Sequence, residues 1–111
     1  MRRGEAKAAD EIKKITFKFV KYYRGKGPQY VNVRLNYSNI TIYIKGVFTN
    51  LDKLLYENAD EEKLREVFKG AMLILKRELL EKINEVLNVN CTFLSIKENY
   101  IEDSITIIIP F

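Results

Sequence analysis

The residues whose types and spacing could do chemistry lie together in the run Arg24-Gly25-Lys26-Gly27-Pro28. Two glycines beside basic side chains can expose backbone N–H groups to a phosphate or a carboxylate. The run follows a helical pattern, and the negative end of a helix dipole repels anions, whereas phosphate loops precede a helix. The sequence therefore favours a helix stop, in which a glycine is left-handed and Pro28 ends the helix. An anion-binding or partner-binding loop is the alternative hypothesis.

Catalytic chemistry has few candidate residues in this chain. The 111 residues include no histidine and one cysteine, Cys91, which excludes a Ser-His-Asp or Cys-His nucleophile and an intrachain disulfide. No base lies near Cys91 in sequence, and we expect it to be a small core residue on a strand. We predict no catalytic residue, metal site or cofactor, and a lone free thiol is typical of a reducing, cytoplasmic setting.

Positive charge is concentrated near the N-terminus. Residues 1–27 contain nine Lys or Arg and three acidic residues, a net charge of +6, whereas the whole chain carries +4. A basic end can hold an acidic partner, a nucleic acid or an anionic membrane surface. No stretch has the roughly 20 apolar residues that a spanning helix needs. The sequence thus predicts a protein without a membrane span, cytoplasmic or peripheral to the membrane.

Hydrophobic periodicity predicts one α+β domain over residues 1–111. Alternating segments are typical of strands in hairpins, and apolar residues three and four apart are typical of helices. The predicted order is helix, two strands, short helix, long helix, two strands, with four antiparallel strands in one sheet and the helices on one face. The predicted first and short helices cover residues 5–23 and 51–57, and the strands cover residues 30–36, 40–45, 89–96 and 104–109.

The long helix carries more apolar surface than one sheet can cover. It begins at Asn58 or Asp60, ends at Leu87, and is apolar on more than one side. Such a helix is buried on more than one side, so either it bends at Gly70 around the sheet or a second subunit covers it. We expect a homodimer, whose interface lies away from the Leu64–Leu79 stripe assigned to the monomer core. The candidate interface residues are Met72, Leu73, Leu80 and Ile83.

Three segments at the ends of these predicted elements occur in a characteristic order along the chain. Arg24–Pro28 follows the first helix, Gly46–Thr49 follows the second strand with Asp52 close behind, and Ile83–Leu87 ends the long helix. In this order and spacing, from about Ile12 to Phe111, the chain resembles the MpsC domain family. That family is named for the third component of a sodium-translocating, membrane-potential-generating system.

The resemblance implies a small cytoplasmic protein that associates with membrane subunits of cation transport, and it supplies no catalytic residues. We therefore expect a non-catalytic interaction or regulatory domain, an accessory component of a cation-transport or membrane-potential system with a membrane-protein subunit as partner. Two alternatives belong to other classes: a nucleic-acid-binding protein that uses the basic N-terminal helix, which we favour less, and a ligand-sensing signalling module. An enzyme would need Lys, Tyr or paired carboxylates for acid–base chemistry, and no arrangement selects one.

Overall fold

The computed structural model describes the backbone of residues 3–58 and 61–111, and the side chains of these residues except 3, 61, 64, 65 and 67–72. The predicted α+β class and element order are confirmed. The helices are α1 (Arg3–Arg24), α2 (Asn50–Asn58) and α3 (Glu61–Leu87), and the strands are β1 (Tyr30–Leu35), β2 (Asn39–Lys45), β3 (Ser95–Asn99) and β4 (Ser104–Pro110).

The four strands form one antiparallel sheet in the order β1-β2-β4-β3. Both predicted hairpins are present, and β2 pairs with β4 to join them. The register places Val31 beside Ile44 and Ile44 beside Ile105, while Ile42 lies beside Ile107. These side chains share one face because residues at alternate positions of a strand point the same way. All five are buried, so this inner face forms the core.

Helices α1 and α3 supply the cover that this inner face needs. Helix α1 packs against β1 and against α3, and its buried residues Ile12, Thr16 and Val20 recur every four positions. The buried hydroxyl of Thr16 donates to the carbonyl of Ile12 at 2.8 Å, which satisfies the polar group in the apolar interface. With 27 residues, α3 is about 40 Å long, close to the 46 Å longest dimension of the described structure.

The last hairpin differs from its prediction. Strand β3 begins at Ser95 rather than at residue 89, so residues 89–94 are irregular and Cys91 does not lie on a strand. The physical reason is Asn84 of α3, whose side chain accepts from the Cys91 N–H at 2.8 Å and donates to the Cys91 carbonyl at 2.9 Å. A side chain thereby satisfies the backbone groups that a neighbouring strand would otherwise pair. Cys91 itself is buried, as expected.

Candidate functional site

A buried ion pair joins the end of α1 to the start of α2. The guanidinium of Arg24 donates to the carboxylate of Asp52, and the two side chains are only 12% and 7% exposed. Desolvation at this position lowers the pKa of Arg24 from its ordinary value. Two segments that the sequence analysis singled out separately, Arg24–Pro28 and the acid after Gly46–Thr49, thus meet in one contact.

Asp52 also caps the first turn of α2. Its carboxylate accepts from the Thr49 N–H at 2.7 Å, and the Thr49 hydroxyl accepts from the Asp52 N–H at 3.2 Å. This reciprocal pair is a capping box, in which two backbone donors at a helix start are satisfied by side chains. The same carboxylate therefore fixes the first turn of α2 and holds that turn against the end of α1.

The Arg24–Pro28 loop reverses the chain through one left-handed glycine. Gly25 has a φ of +80°, which a residue with a Cβ adopts only with strain, and its N–H donates to the Lys21 carbonyl at 3.0 Å. The prediction that a glycine here has a positive φ is confirmed. Gly27 lies against the ring of Phe17, and Pro28 is buried. Since Asp52 engages Arg24, Lys26 is the exposed cation that the loop offers to an anion.

A second acid, Asp103, ties the β3–β4 turn to the segment before α2. One oxygen of its carboxylate accepts from the Phe48 N–H at 2.7 Å, and the other lies 3.3 Å from the Lys53 ammonium. Its backbone carbonyl accepts from the Gly46 N–H at 2.8 Å, and both residues have a positive φ. Sequence reasoning missed Asp103 because its partners lie about 55 residues away and its only local signal is that of a turn.

An open cavity of about 420 Å³ lies between α2 and this turn. One wall is aromatic: the Phe48 and Tyr100 rings are 4.6 Å apart, and the Tyr100 and Tyr56 rings are 5.3 Å apart. Asp52 and Asp103 also line the cavity, but Arg24 and Lys53 balance their charges. The cavity is therefore lined by aromatic rings and by two carboxylates that are each already ion-paired. It does not present two free carboxylates for acid–base chemistry.

A second open cavity of about 420 Å³ is a groove between α3 and residues 89–94. Leu73 of α3 and Phe93 of the irregular segment both line it, and each is 59% exposed. Lys76 and Arg77 lie on its α3 side. The second wall of the groove is the segment 89–94. The two hydrogen bonds from the Asn84 side chain to the Cys91 backbone fix this segment two residues before Phe93. We call this surface, lined also by Leu80, Thr92 and Leu94, the α3 groove.

Two of the four predicted interface residues line the α3 groove, and one of the others is buried in the core. Leu73 and Leu80 line the groove, as a docking surface requires. Ile83 has 0% exposure and belongs to the buried core with Leu79, so its assignment to an interface is wrong. The side chain of Met72 lies outside the described residues. Phe93 was missed because its segment was predicted as a strand.

Two further groups have shifted pKa values. The Tyr23 hydroxyl of α1 donates to the Glu78 carboxylate of α3 at 2.5 Å, and this hydrogen bond raises the pKa of Tyr23 above 10.0. Burial raises the pKa of the Cys91 thiol, which keeps it in the less nucleophilic protonated form. The Tyr23 hydrogen bond links α1 to α3, and Cys91 packs in the hydrophobic core.

Neither a metal cluster nor a spanning helix is found in the described part of the chain. Residues 3–58 and 61–111 contain no group of three His, Cys, Asp or Glu that could hold a metal ion. None of the helices within these ranges is long and apolar enough to cross a membrane.

Comparison with known protein families gives a match over nearly the whole chain. The model of the family described as Na+-translocating membrane potential-generating system (MpsC) matches residues 5–111. No curated protein and no solved structure matches the chain significantly. The family match spans the ion pair of Arg24 and Asp52, the Asp103 turn and both walls of the α3 groove, and the chain therefore belongs to the MpsC family.

Proposed function

We propose that this chain is a non-catalytic interaction domain, an accessory component of a Na+-translocating membrane system, and that it forms a homodimer through the α3 groove. The family's description supports the first part. The observation that carries the second part is the α3 groove itself, lined by two large apolar side chains that are each more than half exposed.

Exposed apolar surface of this kind favours association. Single exposed hydrophobic residues are normal on monomers, whereas contiguous apolar patches mark interaction sites. Burying a leucine or phenylalanine side chain fully stabilises a complex by about 1.5–3 kcal/mol. A two-fold axis uses the same patch on both subunits, so Leu73, Leu80 and Phe93 each contribute twice.

Charge along α3 favours a second copy as the occupant. Lys76 and Arg77 lie at the groove, and Glu81 and Glu85 follow about one and two turns later on α3, with Lys82 between them and paired to Glu85. An antiparallel copy of α3 brings the acidic part of each helix towards the basic part of the other. This arrangement matches opposite charges around an apolar centre, which fixes the register of an interface.

Sedimentation velocity of two leucine-to-glutamate variants tests the homodimer. Leu73→Glu places a charge in the α3 groove and is expected to give a monomer, since the charge would be desolvated in the dimer. The matched control is Leu54→Glu, which changes an exposed leucine of α2 and is expected to leave the dimer intact. A dimeric Leu73→Glu contradicts the proposal, as does a monomeric Leu54→Glu.

A variant on the opposite wall keeps the test decisive if Leu73→Glu fails to fold. Phe93 lies outside regular secondary structure and is exposed, so Phe93→Asp leaves α3 unchanged. We expect this variant to be a folded monomer by circular dichroism and sedimentation. A folded, dimeric Phe93→Asp contradicts the assignment of the interface to the groove.

The membrane part of the proposal needs its own experiment. A pull-down from source-cell membranes with the tagged wild-type chain is expected to retain integral subunits of a cation-transport system. Recovery of the homodimer without any such subunit contradicts the accessory role and leaves the dimer standing. The two halves of the proposal therefore fail separately.

A further inference from the structure

The face of the sheet that points away from the helices, which we call the outer face, carries positive charge and no acidic residue. It is formed by the alternate positions of the strands that do not point into the core, from Tyr30, Asn39, Ser95 and Ser104 onwards. Arg34, Lys45 and Lys97 lie on it, and none of these positions holds Asp or Glu, although the chain contains 15 acidic residues. Ordinary solvation of an antiparallel sheet does not require one sign of charge.

The cations are spread across the outer face. Arg34 lies on the edge strand β1 and Lys97 on the opposite edge strand β3. Three strand spacings of roughly 4.8 Å separate these edges, about 14 Å in all. Both side chains are exposed, and no ion pair involves either within the described residues. Lys45 lies towards one end, where its ammonium donates to the backbone carbonyl of Glu102.

Aromatic and hydrogen-bonding side chains fill the space between these cations. The rings of Tyr30 and Tyr43 are 5.9 Å apart, and Tyr30 is half exposed. Asn32 and Thr41 follow on the same face, and Ile108 of β4 adds exposed apolar surface. Tyrosine rings offer stacking surface to any base, and cations spaced along a surface hold phosphates. Flat antiparallel sheets with aromatic side chains hold unpaired bases in this way in common RNA-binding modules.

We propose that the outer face binds single-stranded nucleic acid, with Arg34, Lys45 and Lys97 on phosphates and Tyr30 and Tyr43 under bases. The faces of the bases are covered by their neighbours in a duplex, whereas Tyr30 and Tyr43 need open base faces for stacking, so the ligand is unpaired. The surface differs from the α1 face, where acidic residues interrupt the lysines. It also differs from the α3 groove, which lies on the helix side of the sheet, so the inference does not rest on the proposed homodimer.

Salt-dependent binding of a labelled oligonucleotide tests this inference. Fluorescence anisotropy with a 12-nucleotide oligo(dT), and with oligo(U) of the same length, is expected to show binding at 50 mM salt. For single strands, the slope of log K against log salt is about −0.7 per phosphate neutralised. Three cations therefore predict a slope of about −2.

Charge-neutral variants locate the binding surface. Arg34→Gln and Lys97→Gln are each expected to reduce the slope by about 0.7, while Tyr30→Ala lowers the affinity at least fivefold and leaves the slope unchanged. The matched control is Lys14→Gln, which removes one exposed cation from α1 and is expected to change neither quantity. Arg34→Gln, Lys97→Gln and Lys14→Gln should keep the wild-type melting temperature, since these three side chains are exposed.

Three results would overturn the inference. The first is the absence of any anisotropy change at 50 mM salt. The second is loss of binding in Lys14→Gln with unchanged slopes in Arg34→Gln and Lys97→Gln, which assigns nucleic acid to α1. The third is binding to vesicles of anionic phosphatidylglycerol, lost in Arg34→Gln, without binding to either oligonucleotide. That third result assigns the outer face to a membrane surface.

Discussion

Substitution of Asp52 by asparagine tests how the end of α1 is held against α2. Asp52→Asn removes the charge opposite Arg24 but keeps an oxygen that can accept from Thr49. Both side chains of the pair are nearly inaccessible, so the Arg24 guanidinium loses its counter-charge without regaining full hydration. Removing one partner of a buried ion pair destabilises a protein by about 3–5 kcal/mol.

The expected loss is large for a chain of this length. Domains of this kind unfold with a free energy of about 5–15 kcal/mol. With an unfolding entropy of about 2.1 cal/mol/K per residue, a 3–5 kcal/mol loss over 111 residues lowers the melting temperature by about 13–21 °C. Urea unfolding followed by circular dichroism measures the free energy, and calorimetry measures the melting temperature.

A surface pair provides the matched control for Asp52→Asn. Lys82 and Glu85 lie 3.6 Å apart with side chains 54% and 68% exposed, and exposed pairs contribute about 0–1 kcal/mol. Glu85→Gln should therefore change the stability by less than about 1 kcal/mol. The double variant Arg24→Met with Asp52→Ala leaves no buried charge and should be less destabilised than the two single changes added together. An Asp52→Asn loss as small as that of Glu85→Gln would refute the reasoning.

Three further predictions follow from single contacts. Gly25→Ala should cost about 1 kcal/mol or more in urea unfolding, because position 25 has a φ of +80°; unchanged stability would contradict the left-handed turn. Asn84→Ala should cost about 1–3 kcal/mol and speed the reaction of Cys91 with a thiol reagent, since two hydrogen bonds to the Cys91 backbone are lost; an unchanged thiol rate would contradict these hydrogen bonds. The raised pKa of Tyr23 means that its contribution to stability is present below about pH 10 and is lost as pH rises through the raised value. Ultraviolet titration of tyrosine should show that Glu78→Gln lowers this pKa towards 10.0, and an unchanged titration curve would contradict the hydrogen bond.

Local signals were sufficient for most of the fold. The alternation in Val31, Val33 and Leu35 predicts β1 and its buried face, because a strand places alternate residues on one side. Gly25 predicts the end of α1 for a similar reason, since few residues other than glycine adopt a positive φ readily. Thr49 and Asp52 stand out in the sequence where the chain leaves the second strand, and in the structure they form the capping box that begins α2.

Contacts between distant segments could not be predicted from the sequence. Residues 89–94 have the composition of a strand, but the Asn84 side chain takes the Cys91 hydrogen bonds that a strand would have formed. Ile83 was assigned to an interface because helical periodicity shows which residues share a face and not which element that face meets. Asp103 pairs with Phe48 and Lys53 across the fold, and no spacing in the sequence brings those residues together.

The mass of the unmodified protein in solution tests the central claim, that the α3 groove pairs two copies of this chain. Light scattering coupled to size-exclusion chromatography, run over a concentration series from about 1 to 100 μM, measures that mass directly. The chain has a mass of 13.1 kDa, and we expect twice that value at the upper end of the series. A mass of 13.1 kDa at every concentration would contradict the homodimer and leave the α3 groove to a different partner.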